Sequence, residues 1–251
     1  MTTTELSAPK AGRRSLGASG GATVRCINRL QYAYRNDNPA AVAVLARLRR
    51  EAGRAVHDSP DSWGIDGLED LVTVRSEESG RGRDEDRDLR EEEAVHLAVT
   101  LWALHQQSVY DDNMHKPGRG LGRAVRRLAA AKGSPDSAGS ESQKEPRSGR
   151  DNEELNESLR KRFVRIGTST SYEVLALRLR EMVLLLRGAR VSLDYGLLAD
   201  QLFLWQDESK RSTVRRSWGR DFHSTRVSAD SPSDSSGEEN GARSDDSDSG
   251  E

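Results

Sequence analysis

Apolar residues recur at three- and four-residue intervals in the first part of the chain. One stripe falls between residues 22 and 36 and consists of Val24, Ile27, Leu30 and Tyr34. This spacing places the apolar side chains on one face of an α-helix. Asn38 and Pro39 then supply an N-cap and a first-turn proline for a second helix, which closes near Gly53. The pattern therefore predicts two amphipathic helices in this region.

The sequence over residues 89–109 predicts a central helix. Its first turns carry Glu91, Glu92 and Glu93, where the positive end of the helix dipole favours negative charge. The following stretch VHLAVTLWAL is apolar on almost every side, which indicates a helix buried among others. The preceding stretch HDSPDSWGIDG is predicted to be a loop that places Trp63 on the core.

Further helices are predicted over 153–166, over 171–187, after Asp194 and over 209–222. Thr170 and Glu173 fit a capping box for the helix over 171–187, which ends at Gly188. Strand-type alternation is scarce throughout the sequence. We therefore predict an all-α fold, a compact bundle of about eight helices in two halves, residues 21–132 and 152–224.

Four segments contain few apolar residues, namely 1–20, 76–90, 133–151 and 225–251. Such segments bury too little apolar surface to offset the entropy lost on ordering. We predict that 1–20 is a disordered N-terminal tail and that 76–90 is a polar insert within the first half. Residues 133–151 are predicted to be a disordered linker between the halves, and 225–251 a disordered acidic tail.

The formal net charge of −2 conceals an asymmetry along the chain. Residues 229–251 carry eight acidic residues and one arginine, so the rest of the chain is basic. A basic body with an acidic tail is typical of proteins that bind polyanions, although many acidic tails only maintain solubility.

The stretch MHKPGRGLGRAVRRL, residues 114–128, combines glycines with cationic side chains. Gly118, Gly120 and Gly122 are spaced G-x-G-x-G, follow a helix and an acidic loop, and precede no Lys-Ser/Thr pair. This arrangement fits neither a P-loop nor a Rossmann turn. We predict instead a tight turn into a helix, whose glycines let a polyanion backbone approach closely.

Arginine-rich helix faces recur in four places, at 47–54, 116–127, 160–165 and 210–220. Any single stripe is explained equally well by a solvated helix face, but four of them favour binding to nucleic-acid phosphates, with little dependence on sequence. On the helix after Gly120, the residues Arg123, Arg126 and Arg127 are predicted to face outward. The candidate nucleic-acid-binding residues are Arg49, Arg50, Lys116, Arg119, Arg123, Arg126, Arg127, Arg160, Lys161 and Arg162.

Aromatic residues fall mostly in apolar stripes, as Trp102, Trp205 and Trp218 do. They are therefore predicted to belong to the core rather than to stack on bases. Without such stacking platforms, contact to nucleic acid is expected mainly through the sugar–phosphate backbone.

Enzymatic chemistry has little support in the sequence. Cys26 is the only cysteine, which excludes an internal disulfide and a thiolate metal cluster, and the five histidines are scattered. We predict no catalytic residue, no metal and no cofactor. Asp111, Asp112 and His115 form the one group with the composition of a nuclease site and remain an alternative. Because no apolar leader and no membrane-spanning run occurs, a soluble, cytoplasmic protein is expected.

Five stretches in order resemble the CasB family, the small subunit of the type I-E CRISPR surveillance complex Cascade. They are ALHQQS (103–108), MHKPGRGLGRAVRRL (114–128), RKRFVRI (160–166), VSLDYGLLADQLFLWQ (191–206) and VRRSWGRDF (214–222). The similarity runs from about Arg25 to Phe222 and is interrupted by the polar inserts. The inserts and the acidic tail depart from the compact members of that family.

The resemblance implies an all-helical, non-catalytic subunit that pairs with a second copy of itself. It implies contacts to the large subunit and to the backbone subunits that carry the guide RNA, and basic surfaces that hold strands of the R-loop. Carried over by motif, Arg123 in Gly122-Arg123-Ala124 binds a strand, with Lys116 and Arg127 as neighbours. The resemblance also implies nucleic-acid contacts for two further pairs, Arg49 with Arg50 after the second helix and Lys161 with Arg162 in RKRF.

Two alternatives remain at this point. One is a helical scaffold whose arginines bind acidic protein partners, and the other is the metal-dependent nuclease with Asp111, Asp112 and His115. Whether the acidic tail competes with nucleic acid for the arginine faces is an open hypothesis.

Overall fold

The computed structural model describes residues 15–54, 67–77, 84–133 and 149–224. Within these ranges the chain forms nine α-helices and no strand, which confirms the predicted all-α fold. The helices are α1 (Ala18–Arg35), α2 (Pro39–Glu51), α3 (Leu68–Glu77), α4 (Glu85–Gln106), α5 (Leu121–Gly133), α6 (Gly149–Gly167), α7 (Tyr172–Gly188), α8 (Tyr195–Gln206) and α9 (Glu208–His223). None of the described helices is long and apolar enough to cross a membrane.

Side-chain caps define several helix starts. Asn38 accepts hydrogen bonds from the amides of Ala40 and Ala41, at 2.9 and 3.3 Å, and Pro39 is the first residue of α2, as predicted. Asp194 caps α8 by accepting from the Leu197 amide at 3.0 Å, also as predicted. The capping box on Thr170 was wrong by one residue. Ser171 caps α7 instead and accepts from the Val174 amide at 3.3 Å.

The charged stretch before the central helix contains more structure than the composition predicted. α3 is an additional helix that places Leu71 and Val74 on the core. α4 begins at Glu85 rather than at 89, with Asp84 as its cap, so part of the insert 76–90 is helical. Charged residues of the two helices form ion pairs, as between the Arg75 guanidinium of α3 and the Glu91 carboxylate of α4, which lie 2.9 Å apart.

The first helix also begins earlier than predicted, inside the segment 1–20. Ala18, Ser19 and Gly20 are buried at the start of α1. The carboxylate of Asp200 in α8 accepts hydrogen bonds from the amides of Gly17 and Gly20, at 2.8 and 2.7 Å. Because this cap comes from 180 residues further along the chain, local composition does not reveal it.

A single hydrophobic core joins the two sequence halves. α4 lies at its centre, buried from Ala94 to Gln106, and packs against α1, α2, α7 and α8. α1 also packs against α8, and α5 packs against α9. Helices from both predicted halves therefore contribute to one core. Trp102, Trp205 and Trp218 are buried in this core, as predicted, whereas Trp63 lies outside the described residues.

Candidate nucleic-acid interface

The loop between α4 and α5 is fixed to the start of α8. Leu193 donates its amide to the Met114 carbonyl at 2.9 Å, and the Asp194 amide donates to the Arg119 carbonyl at 2.8 Å. Gly118 has a φ of +77°, a left-handed conformation that favours glycine, and its amide donates to the Asp194 carboxylate at 2.7 Å. Gly118 therefore forms the predicted tight turn, and its amide is already bound to a carboxylate rather than open to a phosphate.

Gly120 and Gly122 serve helix packing, which corrects the prediction that they admit a polyanion. A Cβ atom on Gly122 would overlap the Trp218 carbonyl oxygen and lie 2.6 Å from the Phe222 nitrogen, both in α9. A Cβ atom on Gly120 would overlap the Asp221 carboxylate. These two glycines therefore let α5 lie directly against α9, and the protein itself occupies the space.

This close packing brings the arginines of α5 partly into the protein. Arg123, Arg126 and Arg127 are all half-buried, whereas the sequence predicted an outward-facing stripe. Arg123 donates to the Gly118 carbonyl at 3.2 Å, and Arg126 donates to the Ser224 carbonyl at the end of α9. Part of their hydrogen-bonding capacity thus holds the ends of α5 and α9 in place.

Lys116 and Arg119, in the loop before α5, are also engaged. The Lys116 ammonium lies 2.9 Å from the Asp112 carboxylate, and Arg119 donates to the Ser192 hydroxyl. Both side chains are half-buried. They cross-link neighbouring loops while leaving part of their surface in solvent.

Arg49 and Arg50 lie in the last turn of α2, with Arg50 exposed and Arg49 half-buried. The ring of Tyr110 stacks on that of Tyr34, with centroids 4.9 Å apart. The positive charge of Arg49 favours the ionised form of Tyr110 and so acts to lower the pKa of its hydroxyl. The hydrogen bond to Tyr34 raises the pKa of Tyr110 above its ordinary value. Tyr110 is 49% exposed, and the sequence did not single it out because it follows the apolar central run.

α6 presents the most exposed of the predicted cations. Arg160, Lys161 and Arg162 are all exposed, and the Lys161 ammonium lies 2.8 Å from Glu157 one turn earlier. Among the described residues, no carboxylate lies within 4.0 Å of the Arg160 or Arg162 guanidinium. This face matches the sequence prediction of an outward cationic surface.

α9 adds a second exposed cationic face beside α6. Arg215, Arg216 and Arg220 are exposed. A groove of about 230 Å³ separates the two helices and is bordered by Arg160, Arg215 and His223. The sequence identified the arginines of α9 as a basic stretch, but the groove depends on how the two helices meet and has no signal in the sequence.

The residues of the nuclease alternative have other partners. Asp111 pairs with Arg190, which lowers the pKa of its carboxyl, and Asp112 pairs with Lys116. His115 is buried and accepts a hydrogen bond through Nδ1 from the Tyr195 amide at 3.1 Å. In the described part of the chain, no three His, Cys, Asp or Glu side chains are grouped so as to hold a metal ion.

The described helices and their exposed guanidinium groups define an all-α protein with basic faces on α6 and α9. The family described as CRISPR-associated protein Cse2 matches residues 44–223. The crystal structure of CasB from Thermobifida fusca is 40% identical in sequence, with a TM-score of 0.65. That match covers 84% of this chain and all of the other. The chain therefore belongs to the CRISPR-associated Cse2 family, as the resemblance to CasB predicted.

A chain of a CRISPR RNA-guided surveillance complex is similar at 20% identity, with a TM-score of 0.50. The match covers 82% of this chain and 93% of that chain, and at this identity it shows the fold alone. None of the curated protein sequences matches this chain.

Proposed function

We propose that this chain is a non-catalytic, nucleic-acid-binding small subunit of the type I-E CRISPR Cascade complex. The observation that carries the proposal is the set of exposed guanidinium groups on α6 and α9. Among the described residues, Arg160, Arg162 and Arg215 have no carboxylate within 4.0 Å. Guanidinium groups in this state are suited to phosphate oxygens, which accept two parallel N–H bonds. Membership of the Cse2 family supports the same function.

The mechanism is physical. Exchanging a DNA duplex for an RNA–DNA heteroduplex is close to balanced in free energy, so protein contacts to the separated strands tip the exchange. Arginine faces that hold guide RNA, target DNA or the displaced strand stabilise the R-loop during antiviral defence. These contacts are to phosphates and carry no sequence preference.

The partners that we propose are the large subunit and the backbone subunits of Cascade, and a second copy of this chain, in the cytoplasm. The support is the 40% identity to CasB and the similarity in fold to a chain of an RNA-guided surveillance complex. The single core that unites the described helices is consistent with a rigid subunit in such an assembly.

The proposal is tested by the salt dependence of binding. We expect the full chain to bind single-stranded DNA or RNA, and the double variant Arg160→Gln/Arg162→Gln to bind more weakly. Each lost phosphate contact reduces the slope of log K against log salt by about 0.7 on a single strand. The measurement is fluorescence anisotropy at two salt concentrations, with single-stranded DNA, RNA and duplex, with and without Mg²⁺.

The matched control is Arg25→Gln/Arg29→Gln, which removes two arginines from α1. Those arginines are paired with Glu77 and Asp70, at 2.5 and 3.1 Å. The control is expected to retain the wild-type slope. An unchanged slope in R160Q/R162Q would contradict the proposed interface, and binding to acidic protein but not to nucleic acid would favour the scaffold. Mg²⁺-dependent cleavage that is lost in Asp111→Asn would favour the nuclease.

A further inference from the structure

The groove between α6 and α9 has an apolar interior. Phe163 and Val164 of α6 line one side, and Trp218 and Phe222 of α9 line the other. The rings of Phe163 and Phe222 stack with centroids 5.2 Å apart and an angle of 23° between their planes. Val164 is 54% exposed, so α6 and α9 leave an apolar surface open to solvent.

Glycine keeps this groove open. Gly219 lies inside α9 and lines the groove, as does Gly167 at the end of α6. A Cβ atom on Gly219 would meet no atom within 4 Å, so helix packing does not require a glycine there. Glycine inside a helix destabilises that helix relative to alanine. Gly219 therefore leaves open the space in the groove that a larger side chain would occupy.

The rim of the groove is cationic. Arg160 and Arg215 border it from opposite helices, and His223 borders its end. All three side chains are exposed, and neither arginine has a carboxylate within 4.0 Å among the described residues. The charge of the rim fits an anionic ligand, whereas the interior fits a flat or apolar group.

An unpaired nucleotide combines these two properties, because its base has an apolar face and its phosphate is anionic. Proteins that bind single strands combine aromatic side chains with cationic grooves in this way. At about 230 Å³, the groove is smaller than the roughly 300 Å³ at which pockets for drug-sized ligands begin, which suits one base rather than a larger ligand.

We propose that this groove binds one unpaired nucleotide of a single strand. The base enters between α6 and α9 against Phe163 and Phe222, and Arg160 and Arg215 bind the flanking phosphates. This inference rests on the proposed nucleic-acid binding and deepens it, because it assigns a base-binding site to a protein whose other cationic faces contact the backbone. It also departs from the expectation that contact to nucleic acid is mainly through the sugar–phosphate backbone.

The test compares a strand that has bases with one that lacks them. An eight-nucleotide oligothymidylate and an abasic strand of the same length carry the same phosphates, so only a base-binding site distinguishes them. We expect the full chain to bind oligothymidylate about tenfold more tightly than the abasic strand, since base stacking on aromatic side chains is of that order. The measurement is fluorescence anisotropy of both strands at one fixed salt concentration.

Gly219→Leu fills the groove without removing any charge. We expect this variant to keep the wild-type affinity for the abasic strand and to lose the preference for oligothymidylate. Gly188→Leu is the matched control, because Gly188 is exposed at the end of α7, has open space around its Cβ position and does not line the groove. The control is expected to retain the tenfold preference, and thermal unfolding of both variants verifies that they fold.

The outcomes separate this inference from the proposed function. Equal affinity of the wild-type chain for both strands would overturn the base-binding groove while leaving backbone binding intact. If G219L still prefers oligothymidylate to the abasic strand, the base-binding groove is likewise overturned, and backbone binding remains. A change in oligomeric state of G219L in sedimentation, without a change in the preference, would assign the groove to a second copy and overturn the inference. Failure of the wild-type chain to bind either strand would overturn the proposed function itself.

Discussion

Gly122 lies where α5 and α9 meet, and its missing side chain sets the distance between the two helices. A Cβ atom there would overlap the Trp218 carbonyl oxygen, a backbone atom that cannot rotate away. The neighbouring arginines of α5 are half-buried because this helix lies so close to α9. At this position, the same residue type that predicted access for a polyanion instead provides contact between two helices.

We expect Gly122→Ala to lower the free energy of unfolding by about 1–3 kcal/mol, because an added methyl group in a filled contact forces the backbone to shift. Gly219→Ala is the matched control on the facing helix, where a Cβ atom meets nothing within 4 Å. The control is expected to raise the free energy of unfolding by up to about 1 kcal/mol through helix propensity. Urea denaturation measures both. Equal stability of the two variants would contradict the assigned role of Gly122.

At the scale of elements, α4 and α8 are joined by a buried polar contact as well as by apolar packing. The Nδ1 atom of His105 lies 2.8 Å from the Tyr195 hydroxyl, and both side chains are fully buried. Burial, together with the charge of Arg187, lowers the pKa of His105 from 6.5 to about 3. Protonation of this imidazole is therefore disfavoured in the folded chain.

This contact predicts acid sensitivity. The unfolded chain binds a proton at His105 below its ordinary pKa of 6.5, whereas the folded chain does so only near pH 3. The contribution of His105 is therefore fully present above pH 6.5 and is lost as the pH falls toward 3. The free energy of unfolding is expected to decrease by up to about 1.4 kcal/mol per pH unit through this group.

The measurement is urea denaturation between pH 7 and 5, in the wild-type chain and in His105→Gln. We expect a shallower dependence on pH in H105Q, by about one bound proton. Thr100→Val is a matched control in the same buried helix, since the Thr100 hydroxyl bonds only to backbone carbonyls of His96 and Leu97 among the described residues. That control is expected to lose stability at every pH while keeping the wild-type slope, and a wild-type slope in H105Q would refute the assignment.

At the scale of the whole molecule, charge is distributed unevenly between the C-terminal segment and the rest of the sequence. Residues 229–251 carry eight acidic residues and one arginine, whereas the exposed faces of α6 and α9 are rich in arginine. Opposite charges on one chain attract each other over about 10 Å at 0.1 M salt and less at higher salt. This charge distribution predicts that the acidic segment competes for the cations that we propose for nucleic acid.

We expect deletion of residues 229–251 to raise the affinity for single-stranded DNA several-fold at low salt, with the difference vanishing at high salt. The control keeps the length of the segment and replaces its eight acidic residues by Asn and Gln. It should behave like the deletion if charge is the cause. Fluorescence anisotropy over a salt series measures both, and an unchanged affinity and slope would exclude competition by the tail.

Local patterns were sufficient to predict most of the helices. The central helix follows from a continuous apolar run, and the starts of α2 and α8 follow from caps a few residues away, all of which are visible in the sequence. α3 and the first turns of α4 were not predicted, because their charged residues gain partners only when the two helices meet. Arg75 and Glu91, 16 residues apart, form such a pair.

The sequence by itself determined the all-α class, the family and the positions of the basic helix faces, because each depends on residue type and short-range spacing. Only the tertiary structure decided which cations remain in solvent. Arg126 is half-buried and donates a hydrogen bond to the Ser224 carbonyl at the end of α9, whereas Arg160 and Arg162 are exposed. It also created the groove between α6 and α9, because Phe163 and Phe222 are far apart in the sequence and stack on each other only in the folded chain.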